Sequence, residues 1–164
     1  MIDYLIEQVE GLADPCMSSF RRILEETKFE DAWIQAQIPD PLPSDRYHRR
    51  LLHKGDNYEL VLATWPVGTQ TYVHNHGELD SHGMVRVLMG DIFNHVYEKE
   101  DEFSVCKTEE MVFHKDELIP VNKGLLHAMG NERLDGPAMS LHFYSPMIID
   151  VTYWDPRTLR RFQP

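Results

Sequence analysis

Only two cysteines, Cys16 and Cys106, occur among the 164 residues. Two are too few for a disulfide framework, and they lack the spacing of thiolate metal ligands. Reduced thiols packed as small buried hydrophobes are expected instead. Positive charge is also scarce. Lys and Arg number 16 against 27 Asp and Glu, for a net charge of −11, which argues against a nucleic acid or an anionic membrane as partner. An anionic small substrate stays possible, because one arginine can dominate the field inside a pocket. No apolar run approaches membrane-spanning length. The opening residues, Met1-Ile-Asp-Tyr-Leu-Ile-Glu7, bring acids early and no basic stretch, which predicts no secretory signal and, by default, a cytoplasmic location. There is no internal repeat and no low-complexity tract.

What the chain does have is a change of texture near residue 45. Before it, residues 1–13 and 16–36 are predicted as two helices, the second with Phe20, Ile23, Leu24 and Trp33 near helical spacing. Asp14-Pro15 separates them, and the prolines of Pro39-Asp-Pro-Leu-Pro43 end the helical part. From Tyr47 onward, short β-branched and aromatic segments alternate with turn signals at Gly55-Asp-Asn57, Gly68, Gly90-Asp91, Asn122-Lys-Gly124 and Asp135-Gly136. Strands are predicted near 47–53, 58–65, 70–76, 83–89, 91–98, 103–106, 109–113, 117–120, 125–130, 138–144 and 148–154. That many short strands at this spacing predict an all-β sandwich or barrel, the group that contains jelly rolls. The expected organisation is one domain over 1–164: an N-terminal helical cap (1–45), a β-barrel (46–154) and a surface tail (155–164).

Two constellations carry chemistry. In Gly68-Thr-Gln-Thr-Tyr-Val-His74-Asn-His76, a strand would point both imidazoles to one face. They form half of a metal site, and His127 in Pro120-Val-Asn-Lys-Gly124-Leu-Leu-His127 is the candidate third ligand. Imidazole suits iron, zinc, copper and nickel, so the ligand type does not fix the metal. The second constellation is Ser140-Leu-His142-Phe-Tyr144-Ser-Pro146. On a strand, Ser140, His142 and Tyr144 share a face. If buried, that face requires the three groups to hydrogen-bond one another, which would make a serine–imidazole–phenol relay aimed into a pocket. If exposed, it is polar decoration, and the pattern alone allows both.

The Gly68-x5-His74-x-His76-Gly77 pattern, with His127 and Asn131 downstream, resembles the cupin superfamily, a double-stranded β-helix or jelly-roll barrel. The usual cupin adds a glutamate ligand, but counting back from Gly90 brings Gly83 to that position. Glu78 and Asp80, in an apparent two-residue insertion after His76, are reserve ligands ranked below the three histidines. Adding Tyr47-His48-Arg49, Trp65, Ser81-His82-Gly83 and the Ser140–Pro146 block narrows the likeness. Over Tyr47 to Pro146 the chain resembles the cysteine dioxygenase family of thiol dioxygenases.

That resemblance implies Fe(II) held by the neutral imidazoles of His74, His76 and His127. It implies L-cysteine as substrate, bound through thiolate and amine, and O2 as co-substrate, with cysteine sulfinic acid as product. It implies that Arg49 clamps the substrate carboxylate with its guanidinium fork. Arg50 is adjacent, and a one-residue slip would exchange the two. Family members preferring mercaptopropionate carry glutamine at the Arg49 position. Tyr144 matches the active-site tyrosine, supported by His142 and Ser140. Tyr47 and Trp65 would line the pocket, although Trp65 reads equally well as a core aromatic. Mammalian members crosslink the tyrosine to a cysteine at the position of Gly83, so this chain resembles the uncrosslinked bacterial type. His82 matches a histidine near the pocket. His48, His53, His95 and His114 are read as surface or packing residues. The alternatives are a dioxygenase for mercaptopropionate or mercaptosuccinate, a non-catalytic metal-binding cupin, and a cupin isomerase or hydrolase using Glu78.

Overall fold

The computed structural model describes residues 1–163. Three helices precede eleven strands. Helix α1 is Ile2–Glu10, α2 is Met17–Glu26 and α3 is Asp31–Gln35. The strands are β1 (His48–Lys54), β2 (Glu59–Trp65), β3 (Val73–His74), β4 (His82–Met89), β5 (Ile92–Lys99), β6 (Val105–Phe113), β7 (Leu118–Val121), β8 (Leu126–Gly130), β9 (Ala138–Ser145), β10 (Tyr153–Trp154) and β11 (Arg161–Phe162). They form two antiparallel sheets, ordered β1-β2-β9-β4-β7 and β11-β10-β3-β8-β5-β6. The expected all-β jelly-roll barrel with a helical cap is the architecture found.

Several boundaries differ from the sequence reading. The helix expected over 16–36 is two helices. The hydroxyl of Thr27 donates to the Ile23 carbonyl at 2.6 Å while its backbone turns extended, so the side chain competes with the helical ladder and ends α2. The segments expected at 103–106 and 109–113 are one strand, β6, with a register shift opposite Val96 and Tyr97. Of the strand expected at 70–76, only Val73–His74 is regular, with a single bridge from Gln70 to Gly130. The expected surface tail contributes β11, which pairs with β10; Pro164 lies outside the described residues. Both cysteines are half-buried rather than buried. Cys16 sits at the start of α2, where hydrogen bonding to the Ser18 and Ser19 hydroxyls pulls its pKa down to about 7.

Every residue of β2 and of β9 is buried. Both strands run through the middle of a sheet that is covered on each face. On the outer face, Leu60, Leu62, Met84, Leu88, Leu141 and Phe143 pack against Leu5, Val9, Phe20, Ile23, Leu24 and Ile34 of the cap. The helices present these residues at i, i+3 and i+4, one apolar stripe per helix. On the inner face, Ala63, Trp65, Val85, Val87, Ile119, Val121 and Tyr144 share a second cluster.

A cation on β4 ties the end of α2 to the barrel. Arg86 on β4 donates to the carbonyls of Leu24 and Thr27, where α2 ends, and to Asp116 Oδ1 at 2.7 Å. Its guanidinium lies 5.1 Å from the Phe29 ring centroid. A guanidinium suits this place because the last carbonyls of a helix are unpaired and carry partial negative charge. Arg86→Met removes these donors and leaves two carbonyls under-satisfied. The expected cost is about 1–3 kcal/mol, read from the denaturant midpoint, and Arg86→Lys should recover part of it.

Candidate metal centre and polar relay

The metal candidates are assembled by sheet pairing. His74 on β3 lies directly opposite His127 on β8, which holds their ring centroids 4.7 Å apart. His76 lies past the end of β3, its ring 5.3 Å from that of His74 and 4.8 Å from that of His127. Strand alternation therefore does not bring His76 to the site; the chain's exit from β3 does. Gly77 then turns the chain with φ +79°, and a Cβ there would sit 2.0 Å from the Ile149 carbonyl oxygen, so only glycine follows the pair without moving backbone.

One nitrogen from each ring lies within 4.8 Å of the others. The tautomers follow from the partners, because a carbonyl oxygen can only accept. His74 donates Nδ1–H to the Tyr72 carbonyl at 2.9 Å, and His127 donates Nδ1–H to Asn94 Oδ1 at 2.7 Å. Both Nε2 atoms are left as lone pairs. His76 Nδ1 is buried near the Leu125 carbonyl but outside hydrogen-bonding geometry. Burial, reinforced by the neighbouring imidazoles, lowers the pKa of His76 to about 3 and that of His127 well below its ordinary value; burial also lowers that of His74. The rings are neutral at pH 7. The Nε2 atoms of His76 and His127 are 3.1 Å apart, about the spacing of two adjacent nitrogens on one ion with bonds of roughly 2.1 Å. With His76 carrying its proton on Nδ1, three neutral lone pairs converge, a donor set that fits a metal cation.

No carboxylate joins this cluster among the described residues. Glu78 and Asp80 are exposed, and Asp80 Oδ1 instead accepts the Gly124 N–H at 2.5 Å. That contact ties the loop after His76 to the turn that leads into β8.

Ser140, His142 and Tyr144 form a buried relay on β9. The exposed-strand alternative is excluded, since β9 is buried throughout. Trp65 caps the relay at its far end. Its indole nitrogen has a hydrogen and no acceptor site, and it donates to Ser140 Oγ at 2.8 Å. Ser140 Oγ and His142 Nε2 share a hydrogen bond of 2.7 Å, and His142 Nδ1 and the Tyr144 hydroxyl share one of 2.9 Å, so the imidazole tautomer sets the direction of both. In the Nδ1–H tautomer of His142 the phenol keeps its own hydrogen for an acceptor beyond the relay. Burial lowers the His142 pKa to about 3, helped by the charge of Arg49, and burial raises that of Tyr144. Both groups are neutral. The Tyr144 ring stacks 5.7 Å from that of His76, so the relay ends beside the histidine cluster.

The remaining sequence candidates divide. Trp65 is 1% exposed, stacks on Tyr47 at 4.8 Å and spends its N–H on Ser140; it heads the relay. Tyr47 is half-buried on that ring. The two arginines point apart, as strand alternation requires. Arg50 donates to Gln37 of the cap, and Arg49 Nη2 donates to Glu59 Oε1 at 2.6 Å. His82 lies outside the three-histidine group, its Nδ1 buried without a hydrogen-bond partner among the described residues. Gly83 pairs with Tyr144 across β4 and β9, and a Cβ on it would meet the Phe143 carbonyl oxygen at 2.0 Å and Tyr144 Cδ1 at 2.9 Å.

Two polar residues escaped the sequence reading. Asn94 orients His127, yet inside a predicted strand it carries no distinguishing pattern. Glu59 had a signal: it is the one charge in the otherwise apolar run Tyr58-Glu59-Leu-Val-Leu-Ala63, and a buried charge needs a partner.

Comparisons with known proteins bear on the fold and the family. A structure of an uncharacterized conserved protein with a double-stranded beta-helix domain from Klebsiella pneumoniae subsp. pneumoniae superposes with a TM-score of 0.55 at 11% identity, covering 78% of this chain and 97% of that one; it supports the fold alone. Cysteine dioxygenase type 1 of Rattus norvegicus is 29% identical over 117 residues, covering 69% of this chain and 58% of the rat protein's length. The Homo sapiens protein of that name is 27% identical over 173 residues, covering 93% of this chain and 86% of its own. Residues 28–157 match the family profile of cysteine dioxygenase type I. That stretch takes in the three histidines, the relay and both arginines, and the chain belongs to the cysteine dioxygenase type I family.

Proposed function

We propose that this protein is a thiol dioxygenase that oxidises L-cysteine to cysteine sulfinic acid with Fe(II) held by His74, His76 and His127. The observation that carries the reading is the meeting of two assemblies: three neutral imidazole nitrogens without a carboxylate, and a phenol held at their edge by a buried hydrogen-bonded relay. Family membership supports it. The balance is self-contained. The thiol sulfur loses four electrons, O2 gains four, both oxygen atoms end on sulfur, and no external reductant is needed.

When bound, ferrous iron supplies the Lewis acidity and the one-electron chemistry with dioxygen that no side chain here can provide. The chain's own residues bind, orient and hold protons. The guanidinium of Arg49 takes the substrate carboxylate on the edge that Glu59 does not use. Tyr144 donates its free O–H to substrate or to oxygen. His142 holds the phenol in position through Nδ1, and Ser140 and Trp65 hold the imidazole in place through Nε2. Burial of His76, His127 and Tyr144 keeps water from competing at the site. Arg49 favours a thiol with a carboxylate, which includes mercaptopropionate and mercaptosuccinate as second substrates to test. The proposed setting is the reducing cytoplasm, in keeping with two unpaired thiols.

Iron-loaded protein should consume oxygen in the presence of L-cysteine, with a product two oxygen atoms heavier, and chelation should abolish both. Bound iron with no thiol-dependent uptake across a panel of small thiols would remove the reading in favour of a non-catalytic cupin. Tyr144→Phe should slow turnover by roughly 10²-fold with iron stoichiometry unchanged. Trp65→Phe should slow it by a smaller factor with KM preserved, because it loosens the relay without removing the phenol. Loss of iron from either variant would make these residues structural. Tyr144 acts in this reading without a thioether. Gly83→Cys should therefore lower the melting temperature and show no crosslinked species by intact mass, since its Cβ collides with backbone that pairing with β9 holds in place.

A further inference from the structure

Glu59 is 6% exposed at the start of β2. In the sheet it stands opposite Tyr144, which stands opposite Gly83. Its carboxylate meets Arg49 Nη2 at 2.6 Å, and it accepts no other side-chain hydrogen bond among the described residues. The Arg49 side chain is 42% exposed, against 8% for Glu59. The remaining N–H groups of Arg49 have no protein partner among the described residues. The charges of both residues act on the Tyr144 phenol, in opposite senses.

A carboxylate is costly to bury, and a pair of this kind adds little to stability. Its effect on a ligand is larger. Arg49 alone would give the subsite a net positive charge and attract every added carboxylate. Paired with Glu59, the subsite has no net charge. A first ligand carboxylate can dock on the free edge of the guanidinium. A second one nearby meets the Glu59 oxygens, and like charges brought together in a partly desolvated place repel strongly.

We propose that Glu59 is a specificity-determining residue that restricts the Arg49 subsite to thiols carrying a single carboxylate and turns away dicarboxylate thiols. The assignment rests on the thiol-binding reading of the site given above. It selects against ligands rather than adding affinity for one, which is how many specific sites discriminate. The excluded class is a thiol on a succinate frame; the admitted class is a thiol on a propionate frame, with or without an amine.

The test compares mercaptosuccinate with 3-mercaptopropionate, which differ by one carboxylate and both lack an amine. Iron-loaded wild type, Glu59→Gln and Glu59→Asp are measured by anaerobic calorimetry for binding and by oxygen uptake for kcat/KM. Glu59→Gln keeps an oxygen for Arg49 and removes the charge. The preference for the monocarboxylate should fall by about tenfold or more in both measurements. Glu59→Asp keeps the charge and should keep the wild-type preference even if both affinities drop. A Glu59→Gln protein that binds both thiols with the wild-type ratio overturns the proposal, as does a Glu59→Asp protein that loses the preference. If wild type binds the thiols without oxidising them, the proposed function fails, and the calorimetric ratio alone decides Glu59.

Discussion

The opposition of His74 and His127 across β3 and β8 is the constraint on which the rest of the site depends. Two neutral rings with their lone pairs turned toward one another are unfavourable in a dry interior unless something positive lies between them. The sheet holds them there regardless, and the second-layer acceptors, the Tyr72 carbonyl and Asn94, remove the alternative tautomers. His76 then needs only one tight turn to complete the group, and Gly77 makes that turn against the Ile149 carbonyl. The result is a donor set with no charge of its own.

A second constraint runs perpendicular to the first. A fully buried strand bearing Ser140, His142 and Tyr144 cannot leave those groups unpaired without losing stability at each of them. They pair with one another, and a single indole N–H satisfies the serine at the far end. Trp65 therefore links packing to chemistry: it fills the inner core, stacks on Tyr47 and donates to the serine that ends the relay. The outer face of the same sheet is closed by the cap, anchored through Arg86 to the carbonyls where α2 ends. The helical layer is thus part of what keeps β2 and β9 dry.

The His74-x-His76 pair, His127 and the Ser140-His142-Tyr144 face were legible because each depends on spacing along the chain or on a strand period of two. The helix break near Thr27 was not, since the apolar stripe continues past it to Trp33 and the competing bond is a local hydroxyl contact. The reach of β3 was overestimated for a similar reason: residues 70–76 have strand composition, but only Val73 and His74 pair as a continuous strand, beside a single bridge at Gln70. Arg49 and Arg50 were separable by alternation, yet nothing in the chain named their partners, Glu59 and Gln37. Such partners depend on which strands and helices become neighbours.

Sequence by itself determined which residue types could bind a metal, which could pass a proton, and that the body would be β-rich with helices ahead of it. These follow from composition and short-range period, which every conformer of the chain shares. Tertiary structure alone decided that His76 reaches the other two imidazoles from outside a strand, that Glu78 and Asp80 do not, that the relay begins at an indole, and that Arg49 meets a buried carboxylate. Each of these depends on which segments become neighbours, on sheet register and on what the interior must satisfy once water is gone.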